Sequence, residues 1–145
     1  MSRITRKVVV GLIAACGALG AAVAPATAAD YAPDEFIVLG EPNGHTKGAI
    51  TWYNRTANIQ GYVLDISDGG RSTRAIFEAF AGSTKIDSET RTTNNESDLG
   101  SKRSFNFTIG DTDLADGIDR IKITVCQQPP ASGDGCSSPE NYSKD

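Results

Sequence analysis

The chain has 145 residues, with 14 Lys and Arg against 18 Asp and Glu, a net charge of −4, one histidine and three cysteines. A net-acidic surface repels phosphate backbones, which argues against nucleic-acid binding. The length suits one domain.

The first thirty residues carry an address. Arg3, Arg6 and Lys7 open the chain without an acid, Val8 to Ala24 is apolar and small, and Pro25-Ala26-Thr27-Ala28-Ala29 leads out to Asp30. That order is a secretory signal peptide, cut after Ala28 or Ala29. The apolar run of roughly 17 residues sits at the lower edge of a membrane span, and no Lys or Arg follows to halt transfer. Ile13-Ala14-Ala15-Cys16 resembles a bacterial lipobox. Lipid anchoring through Cys16 is therefore the alternative to secretion. The apolar run continues past Cys16 into the small-residue exit, which favours secretion.

A cut after Ala29 leaves 116 residues, with 11 bases against 18 acids and a net charge of −7. No later segment is long and apolar enough to span a membrane. Cys126 and Cys136 become the only cysteine pair, in a compartment where disulfides persist. A two-Cys metal site is the rival, but no histidine lies near and the spacing fits no zinc pattern.

Period-two alternation of β-branched and aromatic residues dominates the mature chain. Glu35–Leu39 is a short strand. Gly48–Asn54 sets Ile50 and Trp52 on one face, Thr51 and Tyr53 on the other. Ile59–Ile66 sets Tyr62, Leu64 and Ile66 together, before a turn at Ser67-Asp68-Gly69-Gly70. Ser72–Phe80 alternates Thr73, Ala75, Phe77 and Ala79 against Arg74, Ile76, Glu78 and Phe80, so both faces are partly covered. Thr84–Thr92 is polar and reads as an edge strand. Lys102–Ile109 buries Phe105, Phe107 and Ile109. Thr112–Ala115 offers one helical turn. Arg120–Cys126 buries Ile121, Ile123 and Val125 and turns Cys126 outward.

About seven strands without an amphipathic helix give an all-β fold. The expected architecture is a two-layer antiparallel β-sandwich of immunoglobulin-like or jelly-roll type, with Trp52 plugging its core. The organisation is a signal at 1–29, an N-terminal arm at 30–46, the sandwich at 47–127 and a disulfide-tethered loop and tail at 128–145. Monomeric behaviour is expected.

The wording of four strands, Gly48-Ala49-Ile50-Thr51-Trp52, Thr84–Thr92, Phe105–Gly110 and Gly117–Cys126, resembles a group of small exported proteins of actinobacteria. The resemblance covers about residues 48–126. It implies an exported all-β domain and carries neither an activity nor site residues.

No catalytic constellation stands out. His45 lies in a turn-like stretch with no partner visible in sequence, and no Gly-x-Ser-x-Gly elbow is present. Nothing selects a carboxylate pair for glycoside hydrolysis. The chain is therefore expected not to be an enzyme and to need no cofactor. Asp111, Asp113, Asp116 and Asp119 crowd nine residues and could supply oxygens to Ca²⁺. The spacing is not that of an EF-hand, and turn and cap chemistry explains the same residues. Tyr53 is a candidate stacking platform for a sugar, against the alternative of cross-strand packing. Gln127, Gln128 and Ser132 lie in the Pro-stiffened loop closed by Cys126 and Cys136, and are candidate ligand contacts. The expected function is binding of a protein or a cell-envelope or polysaccharide component. The alternatives are a carbohydrate- or Ca²⁺-dependent extracellular module, or an inhibitor of a secreted hydrolase that inserts this loop.

Overall fold

Alternation along the chain becomes two stacked sheets in a computed structural model, which describes residues 31–40, 43–66, 71–93, 100–128 and 135–145. The expected signal at 1–29, with Cys16, and the loop residue Ser132 lie outside the described residues. Eight strands form in chain order: β1 (Asp34–Gly40), β2 (Gly44–Trp52), β3 (Thr56–Asp65), β4 (Ser72–Ala81), β5 (Thr84–Thr92), β6 (Ser101–Gly110), β7 (Arg120–Gln128) and β8 (Glu140–Ser143). The first sheet has the order β1-β2-β3-β6 and the second β5-β4-β7-β8, with every pairing antiparallel. The protein is a β-sandwich. Its strand order is its own: β2 lies between β1 and β3, whereas the immunoglobulin order places the second strand beside the fifth.

The core follows from parity. Thr73, Ala75, Phe77 and Ala79 of β4 are fully buried, as are Ile121, Ile123 and Val125 of β7. Facing them are Ile50 and Trp52 of β2, Ala57, Ile59 and Val63 of β3, and Phe105 and Ile109 of β6. Phe77 is the centre of an edge-to-face aromatic cluster, with ring centroids 6.1 Å from Phe36, 5.2 Å from Phe105 and 5.3 Å from Phe107. Such pairs add to the area that they bury. Phe36 fits because its register partner is Gly48, which itself faces Gly61. A Cβ on Gly48 would come within 2.8 Å of the Phe36 ring.

Three expectations change. The arm at 30–46 is part of the sandwich, because Asp34–Gly40 pairs with Gly44–Ile50 along its whole length. The tail contributes an eighth strand, with Glu140–Ser143 pairing against Arg120–Ile123. No helical turn forms at Thr112–Ala115; two successive turns span that stretch instead. Tyr62 and Leu64 share a face of β3, as alternation predicts, and it is the outer one, because Ala57, Ile59 and Val63 take the inner positions.

The outer face of the second sheet gathers cations around Phe80 and Glu78. Arg120 lies over the Phe80 ring at 4.1 Å and Lys122 at 5.3 Å. Glu78 receives Lys122 Nζ at 2.5 Å and Lys85 Nζ at 3.2 Å. Burial pushes the Glu78 carboxyl up, but Lys122 and Lys85 outweigh it and hold it below the ordinary glutamate range. A carboxyl lowered on folding contributes stability above its unfolded pKa and loses it as pH falls through the folded one. Acidification below the range where free glutamates protonate is therefore expected to cost the wild type slightly more than Glu78→Gln. The difference should stay under about 1 kcal/mol, since the lysines are partly solvated. Urea melts of both proteins across that range check it; parallel pH profiles would contradict it.

Candidate binding face

The outer face of the first sheet differs in kind. Register places its side chains in rows across β1, β2, β3 and β6. Leu39, His45, Leu64 and Lys102 form one row, followed by Ile37, Lys47, Tyr62 and Ser104, and then by Glu35, Ala49, Gln60 and Asn106. None of these twelve is buried, and Ile37 and Leu39 are 57% and 67% exposed. Two shallow grooves run along the face on either side of Gln60 and Tyr62. One lies toward Ser104 and Asn106, the other toward Lys47 and Glu35.

Tyr62 is the focus. His45 meets its ring edge-to-face at 5.8 Å and Lys102 Nζ stands 4.1 Å above it. His45 is thus on a strand, not in the turn expected from Pro42-Asn43-Gly44. Farther along the face, Asn58 Nδ2 donates to Asn106 Oδ1 at 2.8 Å and to the Phe107 carbonyl at 3.2 Å. The arrangement offers an aromatic ring, two ammonium groups, amides and hydroxyls on a pleated surface. It offers recognition chemistry.

The candidates read from sequence are placed elsewhere. Tyr53 follows the end of β2 in the turn to β3, where its N–H donates to the Thr56 carbonyl at 2.9 Å. It is half-buried and stands at the opposite end of the sandwich from Gln127. That separation follows from register: the far end of β2, Gly44, abuts Thr73, whose partner on β7 is Gln127. Tyr53 and the glutamines therefore cannot share a site.

Gln127 is itself inside. It is 1% exposed on the core face of β7, and neither its amide nitrogen nor its oxygen has a partner among the described residues. Gln128 is half-buried and pairs with Ser72. The expected insertion loop thus loses Gln127, its first contact residue, to the core. A buried polar group without partners costs stability that an apolar group of like shape does not. Gln127→Met is expected to leave stability unchanged or raise it by up to about 1 kcal/mol. Gln127→Ala, which leaves a cavity, is expected to lower it by about 2–3 kcal/mol. Urea denaturation of the two variants checks this. A substantial loss in the methionine variant would show that the amide is bonded.

The four aspartates do not gather. Among the described residues no three His, Cys, Asp or Glu side chains form a group that could hold a metal. Asp111 Oδ1 accepts from the Asp113 N–H at 2.8 Å, and Asp119 Oδ2 from the Gly82 N–H at 2.7 Å. Gly117, at φ +66°, lets the connection pass tightly beneath Asn54 and Arg55. Arg55 Nη1 holds it through the Thr112 carbonyl at 2.6 Å. Asp111 thus serves a turn in the connection between the sheets, and Asp119 serves the hairpin turn between β4 and β5.

The disulfide joins Cys126 to Cys136, with Cα atoms 3.9 Å apart. Gln127 N–H donates to the Gly135 carbonyl and Ser137 N–H to the Val125 carbonyl, both at 2.7 Å. By parity Cys126 is on the side of β7 opposite Ile121, Ile123 and Val125, yet it is only 3% exposed. Among the described residues no helix is long and apolar enough to cross a membrane. No family model, curated protein or solved structure matches this chain.

Proposed function

We propose that the chain is an exported, non-enzymatic binding module that engages a protein or cell-envelope component through the outer face of its first sheet. Export rests on the basic, apolar and small-residue order of residues 1–29 and suits the Cys126–Cys136 bond. One contrast carries the choice of face. Apart from Arg74, the second sheet pairs its outward charges with one another or with Phe80, whereas the first sheet leaves Ile37 and Leu39 exposed and Lys47 outside any ion pair among the described residues. Recognition surfaces combine aromatic anchors with polar groups that await partners.

Cosedimentation with the envelope fraction of the producing cells tests the proposal. Ser104→Glu places a bulky carboxylate beside Tyr62 on an exposed position, and Thr90→Glu does the same on the outer face of the opposite sheet. The first is expected to abolish cosedimentation and the second to leave it intact. Equal behaviour of the two variants would overturn the assignment of the face.

A further inference from the structure

The same face also specifies the class of its partner, on the reading that the partner binds there. Among the described residues ion pairs join Lys85 and Lys122 to Glu78 and Arg91 to Glu89, and neither Lys47 nor Lys102 is in one. Two ammonium groups that enter no ion pair among the described residues thus stand on one face of a chain whose mature form is net −7. They sit on β2 and β6, two strand spacings or roughly 10 Å apart, with Tyr62 of β3 between them. Local positive charge on an acidic protein selects an anion and holds other anions off elsewhere.

The neighbours narrow the anion. No arginine lies in the three rows around Tyr62, so the fork that favours phosphate is missing. Glu35 is exposed on the same face beside the Lys47 groove, which disfavours a densely charged polymer. Gln60, Ser104 and Asn106 line the groove beside Tyr62. Their amides and hydroxyl both donate and accept, as sugar hydroxyls require. Tyr62 offers a ring on which the apolar face of a sugar can lie, with Lys102 already above it at 4.1 Å.

We propose that this face binds an acidic polysaccharide whose carboxylates are spaced by neutral sugars. A sugar ring lies on Tyr62 while Lys47 and Lys102 take carboxylates on either side. Lys102 moves from the ring to its anion as the sugar arrives.

The test is calorimetric titration of the mature chain with hyaluronate, which carries a carboxylate on every second sugar, with a neutral β-glucan and with inorganic polyphosphate. Hyaluronate is expected to bind, more weakly as salt is raised. Lys47→Gln with Lys102→Gln should weaken it by about tenfold without changing the melting temperature. Tyr62→Ala should also weaken it, and Tyr62→Phe should not. Absence of hyaluronate binding, or tighter binding of polyphosphate, overturns the acidic-glycan proposal. Should the neutral glucan bind instead and be lost in Ser104→Glu, the face stands and the acidic ligand falls. Hyaluronate binding that neither the lysine pair nor Ser104→Glu disturbs overturns both.

Discussion

Trp52→Ala is expected to cost about 3–5 kcal/mol, as truncations of large buried aromatics do. A small domain with a total stability of about 5–15 kcal/mol can scarcely absorb that loss. The indole is 2% exposed at the end of β2, on the same face as Ile50. Its Nε1 donates to Asp34 Oδ2 at 2.7 Å. Truncation therefore removes packing and also takes from Asp34 its donor. The two parts separate experimentally. Trp52→Phe retains much of the volume and loses the hydrogen bond, so its cost should be smaller. Asp34→Ala leaves a buried indole N–H without that acceptor, at about 1–3 kcal/mol. Urea denaturation followed by far-ultraviolet circular dichroism measures all three. A loss under about 1 kcal/mol for Trp52→Ala would place the indole outside the core.

Removing the disulfide has the second largest expected effect. The loop between Cys126 and Cys136 spans ten positions. Closing so short a loop in the unfolded chain contributes about 2–3 kcal/mol on the chain-entropy account. The structure gives this bond a further task. Only four residue pairs hold β8 to β7, from Arg120↔Ser143 to Ile123↔Glu140. Tyr142 of β8 reaches the core by an edge-to-face contact with Phe36 at 6.1 Å. Without the bridge the last strand is tethered by that contact, by its ladder and by Lys144, which donates to the Asn54 carbonyl at 2.8 Å. The double variant Cys126→Ala with Cys136→Ala should therefore lose about 2–3 kcal/mol in denaturant. It should also be clipped by protease between β7 and β8 before the rest of the sandwich unfolds. Unchanged stability together with an intact tail would contradict both roles.

The strands that alternation marked clearly are those with apolar residues on one parity. Ile121, Ile123 and Val125 announced β7, Phe105 and Ile109 announced β6, and the polar Thr84–Thr92 marked an edge. Where that signal fails, tertiary pairing supplies the order. Gly44 to Gly48 has no apolar alternation, yet β1 and β3 flank it and make it strand. Glu140–Ser143 offers only Tyr142 as an apolar anchor and depends on β7 and the nearby disulfide. The place of Gln127 was legible: it continues the parity of Ile121, Ile123 and Val125. Its polarity and the prolines that follow suggested a loop instead. The proposed binding face was not legible, because Lys47, Tyr62 and Ser104 are neighbours only through the register of three strands. A sequence without that register shows them as unrelated surface residues.

Lysine footprinting tests the central claim most directly. The mature protein, free and bound to the envelope fraction, is acylated under limiting reagent and its peptides are weighed. Lys47 and Lys102 report the first sheet, Lys85 and Lys122 the second, and Lys144 the C-terminus. Bound protein is expected to show Lys47 and Lys102 protected while Lys85 and Lys122 react as in the free chain. Protection of Lys85 and Lys122 with Lys47 and Lys102 still fully reactive would contradict the account.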